Sequence, residues 1–115
     1  MKDGAQLVVG TWTCYRSFTG GGLFKELELR SDGSFRYVGR YVEDDVVQSN
    51  AVVVGTWRFD VVAGEFYETT TLWNGATAND KCVLTVAVAD NAALKLRDAR
   101  KWSSPLAADW VRGTS

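Results

Sequence analysis

The chain has no histidine, one proline and two cysteines among its 115 residues. The lack of histidine removes the commonest general base and excludes the usual serine and cysteine triads. The single proline, Pro105, leaves nothing before it that would interrupt long strands. No segment approaches the ~18 apolar residues of a membrane span, and the stretch after Met1 lacks the apolar core of a secretory signal. We therefore expect a cytoplasmic protein with no membrane partner.

The charge balance and the chain length further limit the classes of function and the number of domains. Thirteen basic residues stand against fourteen acidic ones, so the basic surplus that nucleic-acid binding usually needs is missing. A chain of this length forms one domain, residues 1–115, and buries roughly two thirds of its unfolded surface. The sequence lacks G-x-S-x-G, P-loop and dinucleotide motifs. No catalytic residue is predicted, although a barrel cyclase or isomerase using Glu68 and Tyr37 as acid and base stays open as an alternative.

The residues that most often bind metals are few. Cys14 and Cys82 both lie in apolar, strand-like runs, so they are either two buried thiols or a disulfide. Two thiolates without histidine rarely hold zinc. The acidic run Glu43-Asp44-Asp45 lacks the central glycine and terminal glutamate of a calcium loop, which indicates solvated surface. We predict no metal and no cofactor.

One pentapeptide occurs twice, as Val8-Val9-Gly10-Thr11-Trp12 and as Val53-Val54-Gly55-Thr56-Trp57, with its tryptophans 45 residues apart. Each copy predicts a strand with a glycine near an inward tryptophan. Alternation of apolar and polar residues predicts seven strands, at roughly 6–16, 23–30, 35–42, 51–60, 65–73, 81–88 and 93–97. Asp32-Gly33 and Asn74-Gly75 mark turns between them.

The C-terminal tail has two interpretations. Ser104-Pro105 suits the N-cap and first position of a short helix, whereas Trp102, Trp110 and Val111 suit an eighth strand. In either case the turns are short and local, and the long crossovers of a two-sheet sandwich are absent. The sequence therefore predicts an all-β fold, an antiparallel up-and-down meander that closes into a barrel of seven or eight strands.

Gly10-Thr11-Trp12 in the first strand, followed by a meander, resembles the calycin group of lipocalins, fatty-acid-binding proteins and avidins. The run from Leu27 to Phe35, followed by Gly55-Thr56-Trp57, is similar to small bacterial lipocalin-like proteins. The resemblance implies a barrel whose base is crossed by Trp12, and it implies no particular ligand. The segment from Thr19 to Gly22 has no space for the helical pair of fatty-acid-binding proteins.

Several polar and aromatic residues share the predicted inward face. The candidate ligand-binding residues are Trp12, Arg16, Lys25, Tyr37, Tyr41, Trp57 and Glu68. A charge on an apolar face is costly unless it is paired or solvated, which indicates a wet cavity or a barrel mouth where a cation could anchor a carboxylate. The alternatives are that Arg16 and Lys25 lie at strand ends with their heads in water, or that a bulge reverses the faces. The tryptophans would equally suit core packing.

The function that these residues favour is binding of a small, partly apolar molecule in an aromatic-lined barrel interior, mainly through aromatic and aliphatic contacts, with an anionic group as an option. The alternative is an interaction or structural module that acts through its outer face, where Tyr15, Phe24, Val52 and Val54 would point outward. An apolar patch of that kind is typical of an oligomer interface, and a homodimer is compatible with either function.

Overall fold

The computed structural model describes residues 4–98 and 104–113, which form a closed antiparallel barrel with strands in chain order. The elements are α1 (Gly4–Val8), β1 (Gly10–Phe18), β2 (Gly21–Leu29), β3 (Ser34–Glu43), β4 (Val46–Asp60), β5 (Glu65–Trp73), β6 (Ala76–Ala89), β7 (Ala93–Arg97) and β8 (Asp109–Arg112). β8 pairs with β1 and closes the barrel. The predicted fold is confirmed. Within the described ranges, no helix has the length and apolarity needed to cross a membrane.

The hairpin turns follow from local chemistry. Asn74 and Gly75 both have positive φ angles, 51° and 82°, as do Asp44 and Asp45, at 53° and 60°. Two successive left-handed residues make the turn whose twist matches that of the flanking strands. In the turn between β2 and β3, the Asp32 carboxylate accepts bonds from the Ser34 hydroxyl and backbone N–H, which lower its pKa. The predicted turns at Asp32-Gly33 and Asn74-Gly75 are confirmed.

The inward faces pack tightly in one half of the barrel, which we call the packed half. Its fully buried hydrophobic side chains include Trp12, Leu27, Leu29, Phe35, Val53, Phe66, Leu84, Leu94, Leu96, Leu106 and Trp110. Trp57 is 9% exposed and belongs to the same cluster, so both tryptophans of the repeat point inward, as predicted. Each indole N–H finds a carbonyl, as buried tryptophan requires: Trp12 donates to Val8 at 2.9 Å and Trp57 to Arg30 at 3.1 Å.

The prediction that the first strand begins at Gln6 is wrong. Residues Gly4–Val8 form a helix, and β1 begins at Gly10. The ladder explains the difference, because Gly10 pairs with Leu29, the last residue of β2. Residues before Gly10 have no β2 residue to pair with, and the Val8 side chain is buried in the core cluster instead.

The tail forms the eighth strand. Residues 109–112 lie between β7 and β1, while Pro105 and Leu106 form a turn, so no helix occurs in residues 104–113. Closing the barrel requires a strand between these two neighbours, and this requirement outweighs the local helix-start signal. Trp102, the other residue predicted for this strand, lies outside the described residues. Cys14 and Cys82 do not form a disulfide, so the disulfide alternative is wrong.

The strands differ in length, so the barrel wall is shorter on one side than on the other. β4 and β6 begin at Val46 and Ala76, earlier than predicted, and extend the wall at one end, which we call the open end. β1 pairs with β8 only at Trp12 and Thr13. Among the pairings that the structure describes, residues 14–18 of β1 therefore have no strand on their β8 side. The short β7 and β8 cover the packed half, and among the described residues no strand fills the gap beside them at the open end.

Candidate functional site

A cleft of about 340 Å³ lies in this gap at the open end. It is lined by Cys14, Arg16, Leu23, Lys25, Arg97, Ala107, Ala108 and Asp109. β1 and β2 provide one wall, because alternate residues of both strands point toward the barrel interior. The end of β7 and the approach to β8 provide the other wall.

The cleft carries an excess of positive charge. Of its charged residues, Arg97 and Asp109 form an ion pair, with 2.6 Å between Nη1 and Oδ1. Within residues 4–98 and 104–113, no carboxylate lies at ion-pair distance from Arg16 or Lys25. Two cations therefore lack a carboxylate partner among the described residues and lie beside a concave surface, an arrangement suited to an anion.

The strand register brings the predicted cations together. Lys25 pairs with Cys14 across the β1–β2 ladder, and Arg16 pairs with Leu23 one inward row further toward the open end. All four residues line the cleft. The Lys25 side chain is half-buried and the Arg16 side chain is exposed. Arg16 and Lys25 therefore share an inward face, and both lie near the barrel mouth.

Tyr37 lies one inward row from Lys25, on the side of the packed half. It is 6% exposed, and its ring makes an edge-to-face contact with Trp110 at 6.2 Å between centroids. Its hydroxyl extends over Gly39, where any Cβ atom would collide with it. Burial, and secondarily the nearby Cys14 thiol, raise the pKa of Tyr37 above its ordinary value of 10.0. The hydroxyl therefore stays protonated at neutral pH.

Glu68 is buried outside the cleft, where its carboxylate is hydrogen-bonded. Its carboxylate is 3% exposed and accepts hydrogen bonds from the hydroxyls of Ser104 and Thr70, the latter at 2.9 Å. The Ser104 oxygen in turn accepts a bond from the Leu106 N–H at 3.1 Å. Glu68 is outside the cleft lining, and it fastens the segment before β8 to β5. Ser104 was missed as its partner because 36 residues separate the two and no local pattern links them.

The other predicted site residues lie apart from the cleft. Trp12 is in the packed half, with the Arg112 guanidinium 4.0 Å from its ring centroid. Trp57 stacks on Phe66 and borders a second pocket, of about 240 Å³, at the base of the barrel. The Tyr41 hydroxyl donates to Glu43 at 3.1 Å. Trp12 and Trp57 therefore belong to the packed half, Tyr41 does not, and no described residue that lines the cleft is aromatic.

Sequence reasoning missed part of the cleft. Arg97, Ala107, Ala108 and Asp109 belong to the short final strands and their connection. Nothing in their local pattern indicates that they face Arg16 and Lys25, because this proximity arises only when β8 joins β1. No cluster of three or more potential metal ligands occurs within the described part of the chain.

Together these features define a closed eight-stranded up-and-down β-barrel with a cationic cleft at one end. No protein-family model, curated protein or solved structure matches the chain.

Tyr37 leads to a prediction about alkaline stability. Its pKa is raised on folding, so its contribution to the free energy of unfolding is full below pH 10.0 and is lost as the pH rises through the folded-state pKa. Tyr37→Phe should therefore lose less stability than the wild type between neutral pH and about one unit above the ordinary tyrosine pKa. Urea unfolding at both pH values measures the difference.

The matched control is Tyr67→Phe, because Tyr67 lies on the outer face with Arg58 over its ring. This variant should keep the wild-type loss, to which Tyr15 and Tyr41 also contribute because bonds to Glu26 and Glu43 raise their pKa values. Equal losses in both variants would contradict the assignment to Tyr37.

Proposed function

We propose that this barrel binds a small, partly apolar anion in the cleft at its open end. The observation that carries the proposal is a cleft of about 340 Å³ bordered by Arg16 and Lys25, neither of which has an ion-pair partner among the described residues. Ligand pockets typically measure about 300–1,000 Å³ and combine apolar walls with a few polar groups. This volume is at the lower end of that range, so the ligand is small.

The residues of the cleft support both properties proposed for the ligand, its negative charge and its apolar part. Arg16 and Lys25 offer charge-assisted hydrogen bonds, which are about twice as strong as neutral ones. Leu23, Ala107 and Ala108 supply apolar surface for the rest of the ligand. Trp12 and Trp57 help fill the barrel below, so the ligand stays near the mouth. We also propose that the barrel is related to the calycin group, a relationship with which this arrangement is compatible.

Titration with the fluorescent anion anilinonaphthalene sulfonate tests the proposal. The wild type should bind the dye, and Lys25→Met should weaken binding about tenfold, because a hydrogen bond to a charged group contributes about 1.5–3 kcal/mol. Methionine keeps much of the apolar stem, so the change removes mainly the charge. Dissociation constants from fluorescence at fixed ionic strength give the result.

Lys81→Met is the matched control, because Lys81 is an exposed residue of β6 outside the cleft. It should bind the dye as the wild type does. Equal weakening by both substitutions would indicate nonspecific attraction to net charge. A wild type that does not bind the dye would also contradict the proposal.

A second candidate function is assembly through the outer face, as a homodimer. Tyr15 is 56% exposed and Phe24 is 38% exposed, and their rings meet edge to face at 5.8 Å. This aromatic pair adjoins the part of β1 that lacks a described strand on its β8 side. Val52 and Val54 are half-buried and offer less surface. A native mass equal to that of a single chain at high concentration would remove this candidate.

A further inference from the structure

The Tyr37 hydroxyl lies near the cleft without a hydrogen-bond partner among the described residues. The side chain is 94% buried, yet none of the hydrogen bonds found in the described part of the chain involves its hydroxyl. Among described residues, no fully enclosed side-chain oxygen or nitrogen lacks a partner. The Tyr37 oxygen must therefore reach accessible space. A buried phenol whose polar tip opens onto such space is a group placed to meet a ligand or water.

The register shows where that space is. The Tyr37 hydroxyl lies over Gly39, and Gly39 is the cross-strand partner of Lys25. Lys25 in turn pairs with Cys14, and both of these residues line the cleft. Directly opposed residues on one face of a sheet have Cβ atoms about 5 Å apart. The hydroxyl is thus beside the Lys25 stem, just below the cleft, although Tyr37 is not among the residues that line it.

Gly39 makes this placement possible. A side chain at position 39 would occupy the volume that the Tyr37 hydroxyl and ring edge now fill. The neighbouring inward row contains Trp12, Leu27, Tyr37 and Val53, all of them buried. Tyr37 can extend toward the open end because Gly39, its neighbour in the next inward row, has no side chain.

The two donors, Lys25 and Tyr37, differ in kind. Lys25 supplies a mobile ammonium, whereas Tyr37 supplies a single O–H from an oxygen whose position is set by the contact of its ring with Trp110. A carboxylate has two oxygens in one plane, so one can accept from each donor. Leu23, Ala107 and Ala108 give the cleft apolar surface that a carboxylate with an apolar body can cover and that a fully polar ion such as phosphate cannot.

We infer that the Tyr37 hydroxyl donates a hydrogen bond to the ligand and that the ligand is a monocarboxylate with a short apolar body. This inference rests on the proposed function, because it assigns the ligand class of the same cleft. Lys25 binds one carboxylate oxygen and Tyr37 the other, while Arg16 attracts the anion from the cleft entrance. The apolar body lies along Leu23 and the two alanines of the opposite wall.

The test measures hexanoate binding by titration calorimetry, with hexanol and inorganic phosphate as comparison ligands. The wild type should bind hexanoate at least tenfold more tightly than either. Tyr37→Phe removes one oxygen and keeps the ring contact with Trp110, so hexanoate binding should weaken about tenfold while hexanol binding is unchanged. Tyr67→Phe, on the outer face, should bind hexanoate as the wild type does.

A second measurement uses the wild type alone and is independent of how the variant folds. Carbon-13 NMR of labelled tyrosine follows the titration of Tyr37 with and without hexanoate. A hydrogen bond donated to a carboxylate favours the neutral phenol, so saturating hexanoate should move the Tyr37 titration to higher pH. The groups facing this hydroxyl from the cleft are Cys14 and Lys25, and both are present in the free and bound samples.

The outcomes separate this inference from the proposed function. If Lys25→Met weakens hexanoate binding but Tyr37→Phe does not, and the Tyr37 titration does not move, the role of Tyr37 is wrong and the anion cleft stands. If phosphate or hexanol binds as tightly as hexanoate, the ligand class is wrong. If neither hexanoate nor the fluorescent dye binds, both proposals fail.

Discussion

Replacing Trp12 with alanine is expected to lower the free energy of unfolding by about 3–5 kcal/mol, the range for a large aromatic residue removed from a core. Trp12 is fully buried, and it donates to the Val8 carbonyl at 2.9 Å. Truncation leaves a cavity at the base of the barrel, removes the surface under the Arg112 guanidinium and leaves the Val8 carbonyl without that donor. A domain of this size has only about 5–15 kcal/mol of stability, so much of the population should unfold at moderate temperature.

Trp73→Ala provides the matched control, because it removes the same side chain from a position that is 43% exposed at the open end. Its cost should stay within about 1 kcal/mol, since little buried surface is lost. Urea unfolding followed by circular dichroism measures both changes. Similar losses for the two tryptophans would show that Trp12 does not anchor the core.

The second large effect is expected at Gly55, in the other copy of the repeated pentapeptide. A Cβ added there would lie 2.8 Å from the Phe35 ring and would collide with the Thr69 carbonyl oxygen. Because a backbone atom cannot move aside as a flexible side chain can, Gly55→Ala should cost about 2–3 kcal/mol, the upper part of the range for overpacking. The register shift between Val54 and Gly55 brings the neighbouring strand this close.

Thr56→Ala is the control for this substitution. Thr56 is the next residue, is exposed, and pairs with Thr69 across the same ladder. Its replacement should cost less than about 1 kcal/mol, the full span of strand propensities. Thermal unfolding of the two variants gives the comparison. A Gly55→Ala variant as stable as the wild type would mean that β5 can shift away, and that the close approach is not required for the fold.

These two substitutions bear on the cleft as well as on the core. Phe35, beside Gly55, and Trp12 belong to the packed half that supports Tyr37. A loosened core would let Tyr37 adopt other rotamers and would weaken binding without touching a cleft residue. Binding measurements on any variant should therefore be read together with its free energy of unfolding, which Tyr37→Phe and Lys25→Met are chosen to disturb little.

The tertiary structure reversed the local expectation at the start of the chain and decided between two interpretations near its end. The alternation that predicts a strand from Gln6 continues past the point where β2 ends, so a helix forms there instead. At the other end, Ser104-Pro105 suits a helix start, yet residues 109–112 form a strand. Each outcome depends on whether a neighbouring strand is available to pair with, and a local pattern carries no information about that.

The residues in and near the cleft also include some that the sequence predicts and some that only the tertiary structure reveals. Strand periodicity places Arg16 and Lys25 on one face, because side chains alternate with a period of two residues. It places Tyr37 and Glu68 on inward faces too, but it does not distinguish a hydroxyl that lies over Gly39 from a carboxylate bound by Ser104. Arg97 and Asp109 enter the cleft only through the final strands.

By itself, the sequence determined the barrel, the turns between its strands and the inward direction of Trp12 and Trp57, because these follow from interactions between residues close in the chain. Only the tertiary structure decided where the barrel is filled and where it is open. That outcome depends on how far each strand extends beside its neighbour and on the closure of β8 against β1. Pairings across the whole chain set both, and short-range patterns do not encode them.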